Sequence, residues 1–75
     1  MERDQSFGEK AVGLSFNPSG DDQVAVCKSM FAACIDQMNE LRVMTENPEV
    51  KRMASVAITE AQTAQMWAVK ALTWK

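Results

Sequence analysis

Met44-Thr45-Glu46-Asn47-Pro48-Glu49 is the stretch on which the fold turns. The residue before a proline disfavours helical angles, so a helix arriving from the N-terminal side must stop by Asn47, while Pro48 itself suits the first turn of a new helix. The connection is therefore short, and the segments on either side fold back on each other as an antiparallel helical hairpin. Upstream, Asp21 or Asp22 can cap a helix predicted over about 22–46, with acidic side chains favoured beside its N-terminal dipole. Downstream, a second helix is predicted over about 48–74.

Each helix carries a periodic face. In the first, Cys27, Phe31, Cys34, Met38 and Leu41 recur at alternating spacings of four and three, widened by Val24, Met30 and Ile35. In the second, Ala54, Ala57, Ala61, Ala64, Ala68 and Ala71 form a row of small residues that predicts a close helix contact. Beside that row lies a further apolar surface of Ile58, Met66, Trp67, Val69, Leu72 and Trp74. One hairpin partner cannot cover both, so one face is expected to pack within the protomer and the other between protomers.

Ahead of the hairpin, a short helix is expected around Phe7 to Val12, weakened by Gly8. Gly13-Leu14-Ser15-Phe16-Asn17-Pro18-Ser19-Gly20 mixes Gly, Asn, Pro and Ser, a composition that turns and cannot sustain a helix. The fold class is thus all-α, one domain over 1–75, with 1–21 as N-terminal segment and loop.

A chain of 75 residues buries only about 60% of the surface its unfolded form exposes, a thin margin against the entropy of ordering. Small folds usually add a metal, disulfides or subunit contacts. There is no His, and Cys27 and Cys34 are the only sulfur ligands, so neither a metal nor a cofactor is expected. Seven residues along a helix put the two cysteines about 10.5 Å apart, too far for a bond within one chain; they read as reduced core residues. Oligomerisation is the remaining support. The net charge of −2 is mixed, −4 over 1–46 and +2 over 47–75, which argues against binding DNA or RNA polymers. Met1-Glu2-Arg3-Asp4-Gln5 lacks an apolar signal core and no apolar run approaches about 20 residues, so the expected location is soluble and intracellular.

Catalysis has little to work with. The usual general base is missing, the cysteines have no activator close in sequence, and no phosphate-binding loop or dinucleotide fingerprint is present. Binding is better served. An aromatic in a polar loop, Phe16, can stack on a nucleobase, and Lys28, the only cation in 11–41, lies within two turns of a helix N-terminus. From the residues alone a plainer account stays open, with Phe16 tucked against the hairpin and Lys28 solvated. Lys70, Trp67 and Trp74 form a second candidate, for which filling a subunit interface is the favoured role.

Phe7-Gly8-Glu9-Lys10-Ala11-Val12-Gly13, then Phe16-Asn17-Pro18, then Ala64-Gln65-Met66-Trp67-Ala68 near the end of a hairpin, resemble in order and spacing the phage anti-CBASS sponge family, whose hairpin domain is shared with a class of anti-Thoeris sponges. The resemblance covers nearly the whole chain. It implies a compact hexamer in the host cytoplasm that sequesters cyclic dinucleotides in pockets between two protomers without cleaving them, some members also taking cyclic trinucleotides or cyclic ADP-ribose isomers. It further implies that Phe16 stacks on a base and Lys28 contacts phosphate. Where the family often has Tyr, Phe16 keeps the stacking face and loses the hydroxyl. Asn17, Pro18 and Ser19 are expected beside them at the ligand, with Phe7, Trp67, Lys70 and Trp74 at the ligand or the interface. The rival reading is a protein-interaction module that inhibits a partner through the Trp67 and Trp74 face.

Overall fold

The computed structural model describes residues 4–75; the reading of Met1, Glu2 and Arg3 as part of a polar start lies outside them. The described residues form three helices and no strand: α1 (Phe7–Ala11), α2 (Asp22–Met44) and α3 (Pro48–Leu72). The side chain of Asp21 accepts from Gln23 N–H to open α2, and that of Asn47 accepts from Glu49 and Val50 N–H to open α3, with Pro48 in the first turn. Both long helices stop two residues short of the expected ends. Thr45 is already extended at the end of α2, and Thr73 closes α3 by turning its N–H back to Val69 and Ala71.

α1 is better built than Gly8 suggested. Ser6 and Glu9 form a reciprocal capping box, Ser6 Oγ accepting from Glu9 N–H at 3.1 Å and Glu9 Oε1 accepting from Ser6 N–H at 2.8 Å. Gly8 is there for proximity. A methyl group on its Cα would come within 2.9 Å of the Ala32 carbonyl carbon and 2.8 Å of Asp36 Oδ1. The Asp36 carboxylate fastens the two helices, accepting from Gly8 N–H at 2.6 Å and Ser6 Oγ at 2.7 Å.

The face of α2 that enters the core overlaps the expected one only at its edge, through Val24 and Ile35, with Phe31 and Met38 packed against the core from the side. Val24, Lys28, Ala32 and Ile35 are buried, while Cys27, Phe31 and Met38 are half-buried and Cys34 and Leu41 exposed. At 100° per residue the buried stripe sits about a quarter turn from the predicted one. α1 and its loop pack onto α2 through Gly8 and Lys28, and these contacts, long-range in sequence, choose the face. Both cysteines are free thiols; Cys34 is a surface residue rather than a core one. On α3 the core side is Ala54, Ile58 and Gln65, so Ile58 belongs inside the protomer. The alanine row is split, with Ala54 buried, Ala57, Ala61 and Ala68 half-buried, and Ala64 and Ala71 exposed.

What results is a slab. Its Cα extents are 44 × 33 × 12 Å, and its radius of gyration is 13.5 Å, where a compact chain of this length gives about 11 Å. One helix layer has two open faces. An apolar groove of 620 Å³ runs along one of them, lined by Val26, Cys27, Met30, Phe31 and Cys34 of α2 and by Leu72 of α3, with Asp22 and Gln23 at its end. No described helix is long and apolar enough to cross a membrane.

Candidate functional site

The loop between α1 and α2 is constructed bond by bond. Gly13 closes α1 in a left-handed conformation (φ 63°), which lets its N–H reach Lys10 O at 3.1 Å and Leu14 N–H reach Glu9 O at 3.0 Å. Phe16 N–H then turns back to Gly13 O at 2.9 Å. On the far side, Asn17 Nδ2 donates to Asp21 O at 3.0 Å, Ser19 Oγ donates to Asn17 Oδ1 at 2.8 Å, and Asp21 N–H donates to Ser19 Oγ at 3.2 Å. The polar atoms of Asn17 and Ser19 thus shape the loop that leads into the α2 cap.

Against this frame Phe16 points outward, 71% exposed, so it is not tucked against the hairpin. Lys28 is not solvated either. It is 5% exposed, its ammonium donating to Gly13 O at 3.0 Å and to Phe16 O, and it lies 5.6 Å from the centroid of the Phe16 ring. Among the described residues no carboxylate pairs with it. A buried cation whose partners are neutral carbonyls has given up water without gaining a counter-charge, an arrangement that favours an anion arriving from outside.

The two residues meet in a recess of 230 Å³. Phe16, Asn17, Pro18 and Ser19 form its outer wall, Val24 and Lys28 its base, and Val69 and Thr73 of α3 the opposite wall. All five residues expected at the ligand are therefore brought together. Val69 and Thr73 were missed, yet the hairpin implies them: antiparallel helices set the end of α3 beside the start of α2. Thr73 Oγ1 donates to Val69 O at 2.8 Å, which leaves it only lone pairs to offer inward.

Trp67, Lys70 and Trp74 gather elsewhere, around a separate open recess of 320 Å³ that also includes Ala71. The Lys70 ammonium lies 5.1 Å from the Trp67 ring centroid and 5.9 Å from that of Trp74, and both indoles are mostly exposed. Phe7 is not among the residues that line the Phe16 recess. Its ring stacks under the Arg42 guanidinium at 5.1 Å, and Arg42 stands fourteen residues along α2 from Lys28, about 21 Å.

A family model described as Acb2/Tad1, hairpin domain, matches residues 9–73. That span takes in the loop, both long helices and every wall of the Phe16 recess, and leaves Phe7 just outside. No curated protein and no solved structure matches the chain.

Proposed function

The chain belongs to the Acb2/Tad1 hairpin-domain family, a family of sponges for cyclic nucleotide signals, and from that premise we propose that it sequesters cyclic dinucleotides without cleaving them. The observation that carries this reading is the buried, uncountered Lys28 ammonium beneath an exposed Phe16 ring. A phosphate supplies the missing negative charge and the attached base covers the ring, so one nucleotide unit satisfies both residues at once. Pro18, with the scaffolding pair Asn17 and Ser19, bounds the base.

A recess of 230 Å³ is small beside ligand pockets of about 300 to 1,000 Å³. It suits one nucleotide unit, and a cyclic dinucleotide calls for a second such recess facing it. A homo-oligomer, hexameric as in the resemblance, provides that pair and covers the open apolar groove of the slab. Cyclic trinucleotides and cyclic ADP-ribose isomers are the wider ligand class, and the setting is the cytoplasm of an infected bacterium, where lowering the free signal blunts a defence. The family is one of binding rather than catalysis, and reversible capture asks for neither a general base nor a cofactor.

The test is to incubate the protein with cyclic di-AMP or cyclic di-GMP, remove unbound nucleotide, denature by heat and identify what is released. Intact ligand supports the proposal; a linear product indicates a nuclease, and no retention at micromolar concentration sinks it.

The exposed Trp67, Lys70 and Trp74 cluster favours a second reading, in which this face grips a protein partner. Under that reading Trp74→Ala abolishes counter-defence while Phe16→Ala leaves it intact.

A further inference from the structure

Lys28 has a task besides meeting phosphate. Two of its three N–H donors are already committed to the loop, one to the carbonyl of Gly13 and one to that of Phe16. Those carbonyls bracket the turn that carries the ring. The Phe16 N–H closes the same turn onto Gly13 O at 2.9 Å, so Gly13 O receives both the turn's own hydrogen bond and the lysine. Phe16 gains almost nothing from packing, with 71% of its surface exposed, and its side chain therefore has little of its own to hold it in place. The lysine is anchored in the second turn of a long helix and is almost fully buried. It is the rigid partner; the loop is the part being held.

We propose that Lys28 is a positioning residue for Phe16: its ammonium clamps the Gly13 and Phe16 carbonyls and so presents the ring to the base, with the remaining N–H left for phosphate. This rests on the sponge reading for its ligand and on the protein's own geometry for the clamp. A consequence is that an anion drawn to the ammonium and a base stacked on the ring are coupled through one side chain, which makes the two halves of a nucleotide bind better together than apart.

A double-mutant cycle with cyclic di-AMP separates the clamp from simple charge. Lys28→Met keeps an apolar chain of similar length at a buried position. In the Phe16 background it removes both clamp and charge and is expected to raise Kd about a hundredfold, whereas in the Phe16→Ala background there is no ring left to position, so only the loss of charge registers, at about tenfold. The residual loss in the second background shrinks at high salt, and the coupled part does not. Equal losses in both backgrounds overturn the proposal.

A ligand-free measurement keeps the clamp testable by itself. Amide hydrogen exchange in Lys28→Met is expected to deprotect Phe16 N–H while the α2 and α3 amides stay as slow as in the parent. Unchanged protection at Phe16 refutes the clamp, as does uniform loss of protection along both helices, since that marks Lys28 as a core residue without a special claim on the loop. If the parent chain binds no cyclic dinucleotide, the sponge reading fails, and the exchange result still decides the clamp.

Discussion

Gly8→Ala pits local propensity against long-range packing with opposite signs. In an isolated helix the change is favourable by about 1 kcal/mol. In this fold the new methyl lies 2.8 Å from Asp36 Oδ1 and 2.9 Å from the Ala32 carbonyl carbon, closer than side-chain carbons approach such atoms, and both belong to the long helix. α1 must therefore lift from α2. Lifting breaks the bonds from Gly8 N–H (2.6 Å) and Ser6 Oγ (2.7 Å) to the Asp36 carboxylate, each worth about 1.5 to 3 kcal/mol as a hydrogen bond to a charged group. Water recovers part of that at a half-buried carboxylate, and the gain in propensity offsets about 1 kcal/mol. The net cost is about 2 to 4 kcal/mol, a fall in Tm of roughly 10 to 25 °C for a domain of this size. Thermal melts followed by circular dichroism, run at one fixed protein concentration because assembly raises Tm by mass action, provide the assay. A variant as stable as the parent, or more so, refutes the close approach of α1 to α2.

Phe16→Ala is expected to weaken cyclic dinucleotide binding by about 1 to 3 kcal/mol in calorimetric titration, with a melt close to the parent's, since the ring is mostly exposed. Ala61→Leu places three extra carbons where Ala61 packs against the cluster of Val12, Ala32, Ile35 and Ile58; overpacking costs about 1 to 3 kcal/mol, read as a lower Tm and altered elution, and a variant that elutes and melts like the parent removes Ala61 from that seam.

The hairpin was legible in the sequence because its signals are local. Asp21 and Asn47 cap the helices they precede, and Pro48 forces the break, all within four residues of the bonds they make. The loop was legible for the same reason, through Gly13, Asn17, Pro18 and Gly20. The core stripe of α2 was legible only at Val24 and Ile35. Cys27, Phe31, Cys34, Met38 and Leu41 are as periodic as a buried face, yet Cys27, Phe31 and Cys34 line the open groove, only Phe31 and Met38 also reach the core, and Leu41 is exposed, while a lysine takes a core position because the carbonyls that satisfy it lie twelve and fifteen residues earlier. Periodicity counts Lys as a solvent residue and has no view of its partners. Gly8 misled in a related way: its local cost is visible in the sequence, and its reason, the Ala32 backbone, is not. The candidate site residues Phe16 and Lys28 stood out as an aromatic and a cation without periodic roles, whereas Val69 and Thr73 became visible only once the hairpin closed.

The central claim is that one recess, with a buried cation beneath an exposed ring, receives a phosphate-bearing base. Nuclear magnetic resonance titration of the protein with cyclic di-AMP tests it most directly. The account predicts that the Phe16 ring, the Lys28 ammonium and the Thr73 methyl shift first and together, at ligand ratios where the Trp67 and Trp74 indoles are still unmoved. Shifts confined to the two indoles, with Phe16 and Lys28 silent at saturation, contradict it.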